Sequence, residues 1–146
     1  MSEPILSLQG IAKTYNKGRP NAVTVLDGAD LTLHPGEIVA LVAPSGAGKS
    51  TLLHIAGLLD SADTGSVHLG GQDMTRLGDR RRTEARRAEV GFVYQAHHLL
   101  PEFTALENVT LPQLANGVSA RAAQARAREL LASVGLEARG DRRPSA

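Results

Sequence analysis

The sequence predicts an α/β fold in which an antiparallel β part leads into a parallel core. Three observations predict it. The residues before Glu37 alternate apolar and polar side chains in short runs broken by turns, the mark of strands with one buried face. Ile38-Val39-Ala40-Leu41-Val42 is apolar at every position, as a parallel strand covered on both faces requires. A second run of this kind, Val90 to Tyr94 within Glu89 to Gln95, closes at the polar Gln95.

Taken in order, Ile5 to Ile11 alternates and continues through Ala12-Lys13-Thr14-Tyr15, which predicts an opening strand. Gly18 and Pro20 mark Asn16 to Asn21 as a polar turn. Ala22 to Leu26 and Ala29 to Leu33 are predicted as two short strands separated by Asp27-Gly28, and His34-Pro35-Gly36-Glu37 turns the chain into the apolar run. Leu52 to Leu59 reads as a helix that begins near Lys49. Asp60 to Gly65 is a loop, and Ser66 to Leu69 is a strand that closes at Gly70-Gly71. Leu77 to Ala88 carries the run Arg80-Arg81-Arg82-Thr83-Glu84-Ala85-Arg86-Arg87. It has no interleaved aromatics and is diluted by Glu84 and Glu89, which favours a solvated helix face over a phosphate-contacting patch.

His97 to Phe103 is a loop with exposed apolar character; no carboxylate or third histidine stands at ligand spacing from His97 and His98. Thr104 to Glu107 has the capping-box pattern of a helix start, and Pro112 is expected to interrupt or end that segment. Ser119 is expected to cap an Ala/Arg-rich helix with Leu130, Leu131 and Val134 on one stripe and Gly135 at its stop. Leu136 to Ala146 is polar and unpatterned, and no internal repeat is present.

Composition sets the outer limits. A chain of 146 residues is one domain at most, with room for a real core. The 42% hydrophobic content and a mean hydropathy of −0.14 fit a soluble globular protein. No apolar run reaches the length of a membrane span and the amino terminus lacks a signal-peptide pattern, so cytoplasmic residence is expected. With no cysteine, disulfides and cysteine-ligated zinc are excluded. A net charge of +1 gives no case for nucleic acid as a partner.

Between the apolar run and the helix lies the stretch that carries chemistry: Ala43, Pro44, Ser45, Gly46, Ala47, Gly48, Lys49, Ser50 and Thr51. Strand, small-residue loop, Lys-Ser and helix together make a phosphate-binding P-loop. Gly46 and Gly48 lack a Cβ, so the backbone can curl and bring its N–H groups close to a polyphosphate. Those groups form an anion-binding concavity, and the helix adds its positive dipole end. Lys49 supplies a mobile cation for the β- and γ-phosphates, and the Ser50 hydroxyl can coordinate Mg²⁺. An ordinary turn before a helix is the plainer alternative, since glycine, serine and proline are turn residues. One position departs from G-x-x-x-x-G-K-[ST]: Ala43 stands where the first glycine is expected.

A P-loop alone admits many classes. A GTPase would need a base-specifying Asn-Lys-x-Asp segment, which is absent, and a kinase would need a lid with its own arginines. Further features point elsewhere. Tyr15 lies upstream at a strand-to-loop transition, Leu41-Val42-Ala43-Pro44-Ser45-Gly46-Ala47-Gly48-Lys49-Ser50-Thr51-Leu52-Leu53 follows, and then come Thr64-Gly65-Ser66-Val67, Phe92-Val93-Tyr94-Gln95 and Leu99-Leu100-Pro101-Glu102-Phe103-Thr104-Ala105-Leu106-Glu107-Asn108-Val109. This order resembles the nucleotide-binding domain of ATP-binding cassette (ABC) transporters, most of all the lipoprotein-releasing LolD type and its MacB-like relatives. The resemblance covers essentially the whole chain.

It implies ATP and Mg²⁺ as ligands and a P-loop NTPase fold with an amino-terminal antiparallel β subdomain. Tyr15 would stack on adenine, a contact worth on the order of 1 kcal/mol. Lys49 and Gln95 would be catalytic, Gln95 contacting Mg²⁺ or the attacking water from the carboxyl end of its strand. The Leu99 to Val109 region would meet membrane-spanning permease subunits, which would explain apolar residues in a loop. A second cassette would complete the dimer, at the cytoplasmic face of the inner membrane. The implied parts are residues 1–36 (antiparallel β), 37–95 (the P-loop core as far as Gln95) and 96–146 (the start of a helical subdomain). The family continues past this point into a Leu-Ser-Gly-Gly signature, an Asp-Glu (Walker B) strand and a switch histidine, none of which this sequence contains. The parallel core is therefore expected to be incomplete, with Ile38 to Val42 and Val90 to Tyr94 not directly paired. ATP hydrolysis is expected of the full-length protein, and binding without turnover of these 146 residues.

Overall fold

Alternation in the opening residues becomes a hairpin, β1 (Leu6–Tyr15) against β2 (Val23–Leu33), with Leu6 opposite Leu33 and Tyr15 opposite Val23. The computed structural model describes residues 3–144. In it the chain forms two compact units, Met1–Phe92 and Val93–Ala146. The first adds α1 (Lys49–Ala56), β3 (Thr64–Leu69), β4 (Gln72–Asp73) and α2 (Asp79–Glu89). Its strands form one antiparallel sheet in the order β2-β1-β3-β4. The buried members of β1, Leu8 and Ile11, pack with Leu26, Val67 and Met74 and with Leu52, Ile55 and Leu58 from α1 and its end. Fully burying one such aliphatic side chain contributes about 1.5–3 kcal/mol, so this cluster holds α1 to the sheet.

Gly65 shows how closely β3 approaches β1. At φ 96° it has a conformation that side chains resist, and a Cβ there would lie 2.5 Å from the Gln9 carbonyl oxygen. At the far end of α1, a Cβ on Gly57 would fall 1.9 Å from the Phe92 ring, so the ring rests directly on the backbone.

Several expectations are corrected. Residues 22–26 and 29–33 are not two strands: β2 runs through Asp27-Gly28 because irregular register against β1 and Gly28 at φ 76° absorb the break. The Ser66 strand starts earlier, at Thr64, and Gly70-Gly71 turns it into β4, which two residues are too few to signal in a sequence. Ile38 to Val42 and Val90 to Tyr94 are not strands, and Ile38 is 97% and Val93 102% exposed. A strand exists through its partners, and among the described residues no neighbouring strand flanks either segment. Among the described residues every strand pairing is antiparallel, so the expected parallel core strands are not formed.

In the second unit α3 (Ala105–Ala115) and α4 (Ala120–Ser133) are followed by a 3₁₀ turn at Glu137–Arg139. The Thr104 hydroxyl accepts from Glu107 N–H while the Glu107 carboxylate accepts from Thr104 N–H, a complete capping box. Pro112 does not interrupt α3, which runs on to Ala115. Packing of α3 along α4 through Leu106, Ala127 and Leu131 offsets the ~3 kcal/mol that an interior proline costs. Ser119 caps α4 as expected, but the buried stripe is Ala123, Ala127 and Leu131, and Val134 is exposed. Alanine forms the core here because its small side chain lets two helices approach closely. Residues 136–144 are not unpatterned either: the Gly140 and Arg142 carbonyls accept the Leu106 and Ala105 N–H groups of the first turn of α3.

Candidate functional site

The loop from Ala43 to Gly48 delivers the chain into α1 with two glycines at positive φ, Gly46 at 81° and Gly48 at 87°. Gly48 is the N-cap, and no side chain caps the helix and no acidic residue stands in its first turn. The helical ladder starts with Leu52 N–H donating to the Gly48 carbonyl, so the N–H groups of Gly48, Lys49, Ser50 and Thr51 are the unsatisfied donors every helix start leaves. With the helix dipole behind them they could hold an anion. A Cβ on Gly48 would lie 2.5 Å from the Val25 carbonyl oxygen, so β2 backs the loop and fixes its curl.

Lys49 points back along the loop, its Nζ donating to the Ala43 and Pro44 carbonyls at 2.6 and 2.7 Å. The ammonium is therefore placed across the mouth of the concavity. Ala43 is not among the residues at positive φ, so its methyl group is accommodated without strain. Pro44, Ser45, Ala47, Ser50 and Thr51 complete the contiguous cradle, and the Ala47 N–H closes a turn onto the Pro44 carbonyl at 3.2 Å.

Tyr15, the last residue of β1, is brought to this cradle from far along the chain. Its hydroxyl lies 3.4 Å from Thr51 Oγ1 and donates to Asp60 Oδ2 at 3.0 Å. Lys13, two residues earlier and so on the same face of the strand, places Nζ 5.3 Å from the Tyr15 ring centroid and donates to Asp60 Oδ1 at 2.8 Å. Burial raises the cost of ionising Asp60. The hydrogen bonds from Lys13, the Ser61 N–H and Tyr15, together with the Lys13 charge, outweigh it and hold the carboxyl below its ordinary value. In the sequence Asp60 is only a loop residue; its signal there is an acid just past a helix, with Lys13 and Tyr15 two apart on a strand.

Gln95 is exposed and belongs to the Val93–Ala146 unit, whereas the cradle and Tyr15 belong to Met1–Phe92. In that second unit Leu99, Leu100 and Phe103 are exposed apolar residues on a loop with defined geometry. Asn108 shapes it: its Oδ1 accepts from Leu100 N–H, and its Nδ2 lies within hydrogen-bond distance of the carbonyls of Leu100, Phe103 and Thr104. His97 uses Nδ1 to accept from Leu99 N–H, and among the described residues no cluster of three metal-ligating side chains occurs. The arginine run is largely structural: Arg82 donates to the Asp60 carbonyl and Arg86 to the Leu58 carbonyl, while Arg80 pairs with Glu84.

The family described as ABC transporter matches residues 26–146. The chain is 68% identical over 146 residues to a lipoprotein-releasing system ATP-binding protein LolD of Cereibacter sphaeroides, covering 100% of this chain and 65% of that protein. A protein of the same name from Ruegeria sp. is 66% identical, again over the whole chain and 64% of the relative. The chain thus spans just under two thirds of the length of these curated relatives. A solved dimeric ATP-binding cassette in a post-hydrolysis state, bound to ADP and Pi, is similar with a TM-score of 0.87 and 35% identity, covering 96% of this chain and 62% of that one.

Proposed function

The chain belongs to the ABC transporter family, and we propose that it is the ATP-binding part of a transporter of the lipoprotein-releasing kind. The observation that carries the binding reading is the approach of the Tyr15 hydroxyl to Thr51 at 3.4 Å. It supports reading Tyr15 as a platform for a base beside an uncapped helix start, the pairing that a nucleotide with its phosphates requires. The residues present fit ATP. Gly48 to Thr51 would hold phosphate oxygens through their N–H groups, Lys49 would meet the β- and γ-phosphates, and Tyr15 would stack on adenine. Ser50 would be a ligand of Mg²⁺, whose chemistry is to neutralise charge on the phosphates. Gln95 is assigned the contact to Mg²⁺ or water by family resemblance.

In the full-length protein this binding would drive the pairing of two cassettes, and hydrolysis would reset the membrane subunits. The match to lipoprotein-releasing relatives over the whole chain supports that substrate. The exposed Leu99, Leu100 and Phe103 support docking of a permease subunit there. No helix among the described residues is long and apolar enough to cross a membrane; the lipoprotein-releasing relatives support a peripheral subunit at the cytoplasmic face. These residues include none that the resemblance assigns as the carboxylate polarising water, so binding without turnover is proposed for the 146 residues themselves.

Titration of the chain with fluorescent ATP and Mg²⁺ tests the binding. Saturable binding that Lys49→Ala weakens at least about tenfold is expected from loss of a charge-assisted phosphate contact. Wild-type chain that binds no ATP, or a Lys49→Ala variant that binds equally well, overturns the reading. Steady-state phosphate release that Lys49→Ala abolishes would refute the absence of turnover. For the substrate, ATP-dependent release of a lipoprotein from vesicles carrying the permease and the full cassette is the deciding measurement.

A further inference from the structure

We propose that Asp60 is a positioning residue for the nucleotide base, fixing the Tyr15 ring against the P-loop helix so that one ring face is presented to adenine. The proposal rests on Tyr15 being the base platform and adds what makes it rigid. Tyr15 ends a strand and is 39% exposed, so its ring would otherwise move about two side-chain torsions. Its hydroxyl is held by Asp60 Oδ2 and lies near Thr51, while the Lys13 ammonium stands over one face of the ring. The base would take the opposite face.

Asp60 can serve as an anchor because it is itself held from three elements. Lys13 of β1 donates to its Oδ1 and to the Ser61 carbonyl. From α1, the His54 carbonyl accepts from the Asp60 N–H at 3.2 Å. From α2, Arg82 donates to the Asp60 carbonyl at 2.6 Å and Arg86, one turn on, to the Leu58 carbonyl at 2.9 Å. Leu58, buried and at φ 62°, makes the sharp turn that aims Asp60 back at β1. The arginines therefore lock the turn, the turn aims the carboxylate, and the carboxylate aims the ring. A ring ordered beforehand loses no side-chain freedom on binding, an advantage of roughly three- to tenfold in affinity.

The test compares ATP with inorganic tripolyphosphate, both with Mg²⁺, by calorimetric titration of the chain and its variants. Tyr15→Phe keeps the ring and removes only the hydroxyl. It is expected to weaken ATP by about three- to tenfold and leave tripolyphosphate unchanged. Asp60→Ala should do the same, the double variant should be no worse than either single one because both remove one link, and Asp60→Asn, whose amide oxygen still accepts, should restore most of the loss. If Tyr15→Ala weakens ATP but Tyr15→Phe binds like wild type, the platform stands and the positioning role falls. If Tyr15→Ala binds ATP normally, both fall. Should Asp60→Ala unfold or lose tripolyphosphate as well, the isosteric Tyr15→Phe decides alone.

Discussion

Position 48 makes two demands that no amino acid but glycine satisfies together. It caps α1 at φ 87°, where a side chain costs roughly 1–2 kcal/mol, and it faces the Val25 carbonyl oxygen with no space for a Cβ. Gly48→Ala is expected to lower stability by about 2–4 kcal/mol, combining that backbone cost with overpacking. Chemical denaturation measures this, and ATP titration should show weaker binding in the same variant. Asp60 gives a pH expectation. Its folded pKa is depressed, so the stability it contributes is complete above the ordinary aspartate value of about 3.9 and is lost as pH falls through the lower folded value. The charged and titratable groups facing it are Lys13 and Tyr15 from β1, with Arg82 from α2 at its carbonyl. Acid unfolding of Asp60→Asn should accordingly lack part of the stability rise that wild type shows on leaving strong acid. The cradle was legible residue by residue because its chemistry is local, whereas Asp60 was not, since its partners sit 45 and 47 positions away in the chain.

At the scale of elements the same divide recurs. The start of α3 could be read from Thr104 and Glu107, because a capping box is written within one turn; Thr104→Ala is expected to cost about 1 kcal/mol of stability in thermal unfolding. Whether Pro112 would end that helix could not be read, since the answer lay in Ala123, Ala127 and Leu131 on α4. Ile38 to Val42 has the composition of a buried strand, but composition cannot supply the neighbours that make one. Hydrogen exchange should find Val39 to Val42 weakly protected and Leu8 and Val67, paired across β1 and β3, strongly protected. Strong protection of Val39 to Val42 would contradict the unpaired arrangement.

Over the whole molecule, each unit has its own hydrophobic cluster, one built on Leu8, Ile11 and Ile55 and the other on Leu106, Ala127 and Leu131. Leu131→Ala should destabilise the second by about 2–5 kcal/mol, followed by denaturant unfolding. The helix starts differ in a way that bears on ligand choice. α3 has its cap and the Gly140 and Arg142 carbonyls against its first N–H groups, α4 has the Ser119 hydroxyl, and α2 carries Asp79 in its first turn. α1 has none of these. A chain with a net charge of only +1 has no broad positive field to gather phosphates, so the proposed binding would depend on local donors such as helix starts. Among the described helices, α3 and α4 have capped starts and α2 carries an acid at its start, so on the proposed reading the α1 start is the end left to receive a polyphosphate.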